Sequence, residues 1–209
     1  MNRWKAIARP WVALLCAAAS LAGSGAARAA DWSPLSPVPI GIPADRFEVR
    51  FGAFAHGIGS VEQGTFDINA EVVSPRLSFG AVTGPWAFLI PRLHVGGNWN
   101  TSDRTSFAYT GFLWTIPVWD RFFVEGYIGP AIHNGSLGPT DTLAGLGCPV
   151  LFHAGGSIGY QLTPNVSVIG TFDHLSNGRT VFGVQCGTNL APGRNQGLNN
   201  YGLRVGYSF

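Results

Sequence analysis

The chain has 209 residues, thirteen of them basic and eleven acidic, which is length enough for one domain with a sizeable core. Charged residues make up 11 % of it, against roughly 25 % in soluble domains, while glycine and aromatic residues are plentiful. No run of about 18 apolar residues follows the N-terminal segment, which excludes a spanning helix, and no basic cluster supports a nucleic-acid partner.

Residues 1–29 read as a secretory signal peptide: Arg3, Lys5 and Arg9 form a basic start, residues 11–22 are apolar, and Ala27-Arg28-Ala29 fits a small-x-small cleavage site. Leu15 is too bulky for the position before a lipidated Cys16. Removing Arg3, Lys5, Arg9 and Arg28 leaves nine basic against eleven acidic residues, so the domain at 30–209 carries a net charge of −2. It keeps Cys148 and Cys186, compatible with one disulfide in an oxidising compartment, although spacing alone does not establish the bond. A membrane chain without spanning helices has one option left, a closed barrel whose strands satisfy every backbone polar group.

After a proline-rich lead-in at 31–44, the pattern becomes one of period two. In the first strand Phe47, Val49, Phe51 and Ala53 share one face, with Arg46, Glu48 and Arg50 on the other; in the second, Phe66, Ile68, Ala70 and Val72 alternate with Asp67, Asn69 and Glu71. The third is expected over 86–99, with Leu89, Leu93 and Val95 opposite Arg92 and His94, and the fourth over 105–116 with poorer alternation. The fifth (121–133), sixth (151–162), seventh (166–176) and eighth (198–209) complete an all-β, eight-stranded antiparallel transmembrane β-barrel, whose interior is filled by side chains. An immunoglobulin-like sandwich would instead show polar outer faces.

Short connections at 79–85, 117–120 and 163–165 contrast with long ones at 134–149 and 177–197, so the end of the seventh strand is expected to face outward. Trp99, Trp119, Tyr207 and Phe209 suit interfacial girdles. Glu48, Glu71, Glu125, Arg50, Arg92 and Arg204 share the lumen parity and are expected to form a buried ion network.

His174 and Ser176 stand two apart in the seventh strand and so share a face. Val168 and Phe172 have the same parity, whereas Ser167, Thr171 and Asp173 point to the lumen, with Ile169 an exception. In the eighth strand Asn199 falls with outward Tyr201, Leu203, Val205 and Tyr207. Polar groups facing lipid are costly and mark function. His174 can take the proton of Ser176 while Asn199 orients the imidazole, and Asn177, Asn195 or backbone amides around Gly178 can donate to an oxyanion. The same residues would also serve as ordinary interfacial polar groups above the hydrocarbon band, and residue types alone leave both readings open.

His174-Leu175-Ser176-Asn177-Gly178, Asn195-Gln196-Gly197-Leu198-Asn199 and Leu203-Arg204-Val205-Gly206-Tyr207-Ser208-Phe209 resemble the signature of the lipid A 3-O-deacylase (PagL) family, eight-stranded outer-membrane esterases that remove the 3-hydroxyacyl chain at position 3 of lipid A. The resemblance is confined to the stretch from His174 to the C-terminus. It implies a place in the bacterial outer membrane, a site toward the outer leaflet, lipid A or lipopolysaccharide as substrate, His174 as base, Ser176 as nucleophile, and Asn177 and Asn195 at the oxyanion. The family often has a glutamate where this chain has Asn199, and residues 178–194 form a longer connection than is usual there.

Arg179 and Arg194, in the same connection, are candidates for the phosphates of lipid A. No cofactor or metal is expected: His94, His133 and His153 lack ligand spacing, and Gly155-Gly156-Ser157-Ile158-Gly159 precedes no helix. Cys148 and Cys186 can tie the two long connections together. The competing readings are a non-catalytic barrel serving envelope integrity or adhesion and a lipid A acyltransferase; a homodimer stays open.

Overall fold

The structure is a computed structural model and describes residues 43–77, 87–177 and 196–209, all within the unit Val38–Phe209. The expected signal peptide and its cleavage site lie outside the described residues. Eight strands, β1 (Glu48–His56), β2 (Thr65–Arg76), β3 (Arg92–Asn100), β4 (Phe107–Trp119), β5 (Phe122–His133), β6 (Val150–Gln161), β7 (Val166–Ser176) and β8 (Leu198–Ser208), pair antiparallel in sequence order. Pairing of β1 with β8, Glu48 opposite Ser208 through Ala55 opposite Tyr201, closes the barrel as expected.

Alternation decides what fills it. Phe51, Ile68, Ile158 and Leu203 project outward and are 60–64 % exposed, while Arg50, Asp67, Asn69, Ser157 and Arg204 beside them are buried in the lumen. The expected ion network is there: the Arg50 guanidinium lies 2.8 Å from Glu48, 2.7 Å from Glu125 and 3.3 Å from Glu71, and Arg204 reaches Glu71 at 2.7 Å. Arg92 meets Glu48 at 3.3 Å. Charges sealed from water in this way persist only because each has a partner. β4 alternates better than its sequence suggests, with Phe107, Tyr109, Leu113 and Thr115 all buried.

The third strand starts later than the sequence pattern predicts. Ala87–Leu89 form a 3-10 turn, with Ile90 N–H donating to Ala87 O at 3.2 Å, and pairing begins at Arg92. Pro91 has no N–H and disfavours helical continuation of Ile90, so the apolar run through Leu89 is punctuated rather than extended. The connection between β2 and β3 therefore spans 77–91 and is not tight, unlike β4–β5, where Asp120 turns the chain at φ 44°, and β6–β7 at 162–165.

At the opposite mouth, where β7 ends, residues 144–148 of the β5–β6 connection fold down over the lumen. Ala144, Leu146 and Cys148 pack with Phe107, Tyr109, Ala131, Leu151, Leu175 and Leu198 into an apolar cap. Cys148 is disulfide-bonded; Cys186 lies outside the described residues.

Candidate active site

The cap fixes the faces of β7 and β8 around the residues in question. Leu175 and Leu198, opposite each other in register, are buried under the cap, so His174, Ser176 and Asn199 must turn outward, where they stand half-buried beside exposed Phe172 and Tyr201. His174 and Asn199 are themselves directly opposite, and the His174 Nδ1 lies 2.7 Å from Asn199 Oδ1. An amide oxygen only accepts, so Nδ1 carries the proton and Nε2 is left with a lone pair, the tautomer a general base requires.

Ser176 ends β7 on the same face, opposite Phe152. Two residues of extended strand separate it from His174 by about 6.6 Å between Cα atoms, and among the described residues no hydrogen bond joins its hydroxyl to the imidazole. Such contacts are often long before substrate binds.

Gly197 completes this corner. Its φ is +62°, and a Cβ there would lie 2.8 Å from Leu175 O and 3.4 Å from His174 Cε1, so glycine is required by the backbone conformation and by the close Leu175 carbonyl, with the His174 ring at ordinary contact distance beside it. The residue stood in the quoted motif without a role, and its one sequence signal is a glycine immediately before a strand.

Asn177 takes the inward parity. It is buried, and its Nδ2 donates to Leu146 O at 3.3 Å. Asp173 is also inward, accepting from the Tyr127 hydroxyl and lying 3.5 Å from His153 Nε2, so it is committed to the lumen and does not reach His174. Gly155 lets Tyr127 lie across β6, since a Cβ there would meet the Tyr127 hydroxyl oxygen at 2.4 Å. Gly178, Arg179, Arg194 and Asn195 fall outside the described residues. Among the described residues no His, Cys, Asp and Glu side chains cluster as metal ligands.

Below His174 on the same outer face, Gly156 and Gly170 leave an open, mostly apolar hollow of about 620 Å³, flanked by Ile158, Phe172 and Tyr201 and reaching the inward residues Glu125, Ser157 and Thr171. The family model described as lipid A 3-O-deacylase (PagL) matches residues 88–208 of this sequence, from the turn before β3 to the end of β8. The chain belongs to the lipid A 3-O-deacylase family.

No curated protein matches it. Among solved structures, the crystal structure of the outer membrane enzyme PagL is similar at 18 % identity and a TM-score of 0.51, covering 78 % of this chain and 99 % of that one. The N-terminal β-barrel domain of Pseudomonas aeruginosa OprF matches at 11 % identity and a TM-score of 0.48, over 79 % of this chain and 98 % of the other. A transmembrane β-barrel of de novo design matches at 14 % and 0.48, over 79 % and 96 %. At 18 % identity the likeness to the PagL structure speaks for the barrel alone. Membership in the deacylase family rests on β3–β8; β1 and β2 join the barrel through their pairing.

Proposed function

We propose that this protein is an outer-membrane esterase that removes the 3-O-linked hydroxyacyl chain of lipid A by Ser176 attack with His174 as base. The observation that carries the reading is the Nδ1 to Oδ1 contact of 2.7 Å between His174 and Asn199, on the face that also bears Ser176, in a chain of the lipid A 3-O-deacylase family. Asn199 holds the ring so that Nε2 accepts the serine proton as Oγ attacks the ester carbonyl. The developing oxyanion takes hydrogen bonds from donors following Ser176 and preceding β8, the Gly178 amide and the Asn195 side chain; the Asn177 side chain, which the sequence also offered for this role, is turned inward onto Leu146 O and is not one of them. Collapse breaks the ester C–O bond; His174 returns its proton to the departing sugar oxygen, and a water activated by the same ring then releases the acyl group from Ser176.

The apolar groove under His174 receives the hydrocarbon of the acyl chain, and Arg179 and Arg194 contact the phosphates. The two long connections, 134–149 and 177–197, meet the mouth beside Ser176, which favours an outer-leaflet placement of the site. Residues 1–29 direct export, and Cys148 pairs with Cys186 across those connections.

Purified barrel is incubated with lipopolysaccharide and its lipid A weighed by mass spectrometry. Loss of one hydroxyacyl chain supports the reading; an unchanged mass points to a non-catalytic barrel, and a gained chain to an acyltransferase. A Ser176→Ala protein that still removes the chain refutes the site.

A further inference from the structure

Glu62 sits in the connection between β1 and β2, outside the part of the chain that matches the family, yet its side chain is wholly buried. Its carboxylate collects four donors from three elements. His56 Nε2 of β1 lies 3.0 Å from Oε2, Thr105 of the β3–β4 connection gives its N–H at 2.8 Å and its hydroxyl at 2.9 Å, and Ala144 of the β5–β6 connection gives its N–H at 2.8 Å. His56 Nδ1 faces Asp67 Oδ2 at 2.8 Å, so the ring donates to both carboxylates only as an imidazolium. One exposed or unpaired loop acid would be unremarkable, but a buried acid that gathers three connections is an anchor.

Two routes lead from this anchor to the site. Ala144 begins the cap segment: Gly145 N–H donates to Gln196 Oε1 at 2.6 Å, Gln196 N–H donates back to Gly145 O at 3.2 Å, and Leu146 O accepts from Asn177. Gln196 precedes the glycine that flanks the His174 ring, and Asn177 follows Ser176. On the other side, the connection that carries Glu62 donates Ile58 N–H to Asn199 O and Gly57 N–H to Asn200 Oδ1, both at 2.8 Å. The backbone on both sides of the His174–Asn199 pair is therefore tied to loops that Glu62 holds together.

We propose that Glu62 is a positioning residue for the His174–Ser176–Asn199 site, acting through residues 144–146 on Asn177 and Gly197 and through residues 57–58 on Asn199. This rests on the deacylase reading. The groove for the acyl chain lies lower on the wall, lined by none of these loop residues, so the anchor governs the alignment of the reacting groups and leaves substrate capture alone. Misplacement of reacting groups by about an ångström costs on the order of a hundred-fold in rate.

The test compares Glu62→Gln, Glu62→Asp and Thr105→Val with Arg76→Ala, which breaks the Arg76–Asp45 ion pair at the other mouth. All are refolded into vesicles, checked for barrel formation by heat-modifiable mobility, and assayed on lipopolysaccharide. Glu62→Gln should lower kcat about ten-fold or more with KM little changed, Glu62→Asp should recover part of the rate, Thr105→Val should fall between, and Arg76→Ala should match the wild type. Amide exchange, which needs no activity, should quicken at Gly145 and Gln196 in Glu62→Gln and stay slow in Arg76→Ala. A folded Glu62→Gln barrel with unchanged kcat, or a loss confined to KM, overturns the proposal. If the unsubstituted barrel leaves lipid A intact, the deacylase reading fails by itself; unchanged exchange at Gly145 and Gln196 then overturns the anchor separately.

Discussion

Inside the barrel Arg50 holds three carboxylates within 3.3 Å and none of these groups meets water, whereas on the outer face of β7 and β8 His174 keeps one partner, Asn199, and Ser176 makes no hydrogen bond among the described residues. Both sets are polar, and both sit on strands of the same sheet. The lumen set is committed to its partners, so its chemistry is spent on holding the wall. Among the described residues the outer set leaves a ring nitrogen and a hydroxyl without a hydrogen bond on an otherwise apolar surface, a costly arrangement that a substrate would relieve. On the proposed mechanism the difference is one of labour: the interior carries the stability and the exterior the reactivity.

The largest break in that comparison comes from the outer set. Replacing Ser176 by Ala should abolish lipid A deacylation, a loss on the order of 10⁴-fold or more, while urea unfolding in vesicles shifts by no more than about 0.5 kcal/mol, as for a surface change. A comparable loss of stability would mean that Ser176 belongs to the scaffold. The mirror experiment is Arg50→Met, which leaves Glu48, Glu71 and Glu125 facing one another without their shared cation. It should cost about 3–5 kcal/mol in the same unfolding measurement, with the activity of each folded molecule retained; a folded but inactive barrel would erase the division between inside and outside.

Much of that division was legible in the sequence because a strand reports its faces every second residue. By the period of two alone, Glu48, Arg50, Glu71, Glu125 and Arg204 fall on the lumen parity, and His174, Ser176 and Asn199 on the other. The start of β3 was not legible, since the apolar run through Leu89 reads alike in a strand and in a 3-10 turn, and only Pro91 marks the break. Connections carry no period at all, which is why the inward turn of Glu62 and the bonding of Gln196 to Gly145 had no sequence signal. Asn177 shows a third limit: parity places it inward, but what it meets there, Leu146 O, depends on a loop arriving from elsewhere in the chain.

Asn199 sharpens the comparison from the other direction. As an amide it fixes the tautomer of His174 but adds no charge, so it stabilises the imidazolium formed during attack less than a carboxylate would. Asn199→Asp keeps the oxygen in place and adds that charge. The plateau rate should rise several-fold, because the added charge stabilises the imidazolium formed as the proton is taken. An unchanged rate would show that the Asn199 side chain is not the group that orients the base during turnover.

The smallest effect concerns Glu62, whose connection lies outside the strands. Burial pushes its carboxyl toward protonation, but the hydrogen bonds from His56, from the Thr105 and Ala144 amides and from the Thr105 hydroxyl outweigh this and hold it below its ordinary value of 4.5. A carboxyl depressed in the folded state contributes stability that is fully present above about pH 4.5 and is lost as the pH falls through the lower, folded value. Glu62→Gln has nothing to lose in that window. The gap in unfolding free energy between the two proteins should therefore be constant near about pH 6 and narrow toward about pH 3, and the lumen carboxylates, which titrate in both, drop out of the difference. A gap that stays fixed across the range would mean that Glu62 contributes no charge to the mouth of the barrel, leaving the three connections held by uncharged hydrogen bonds and packing.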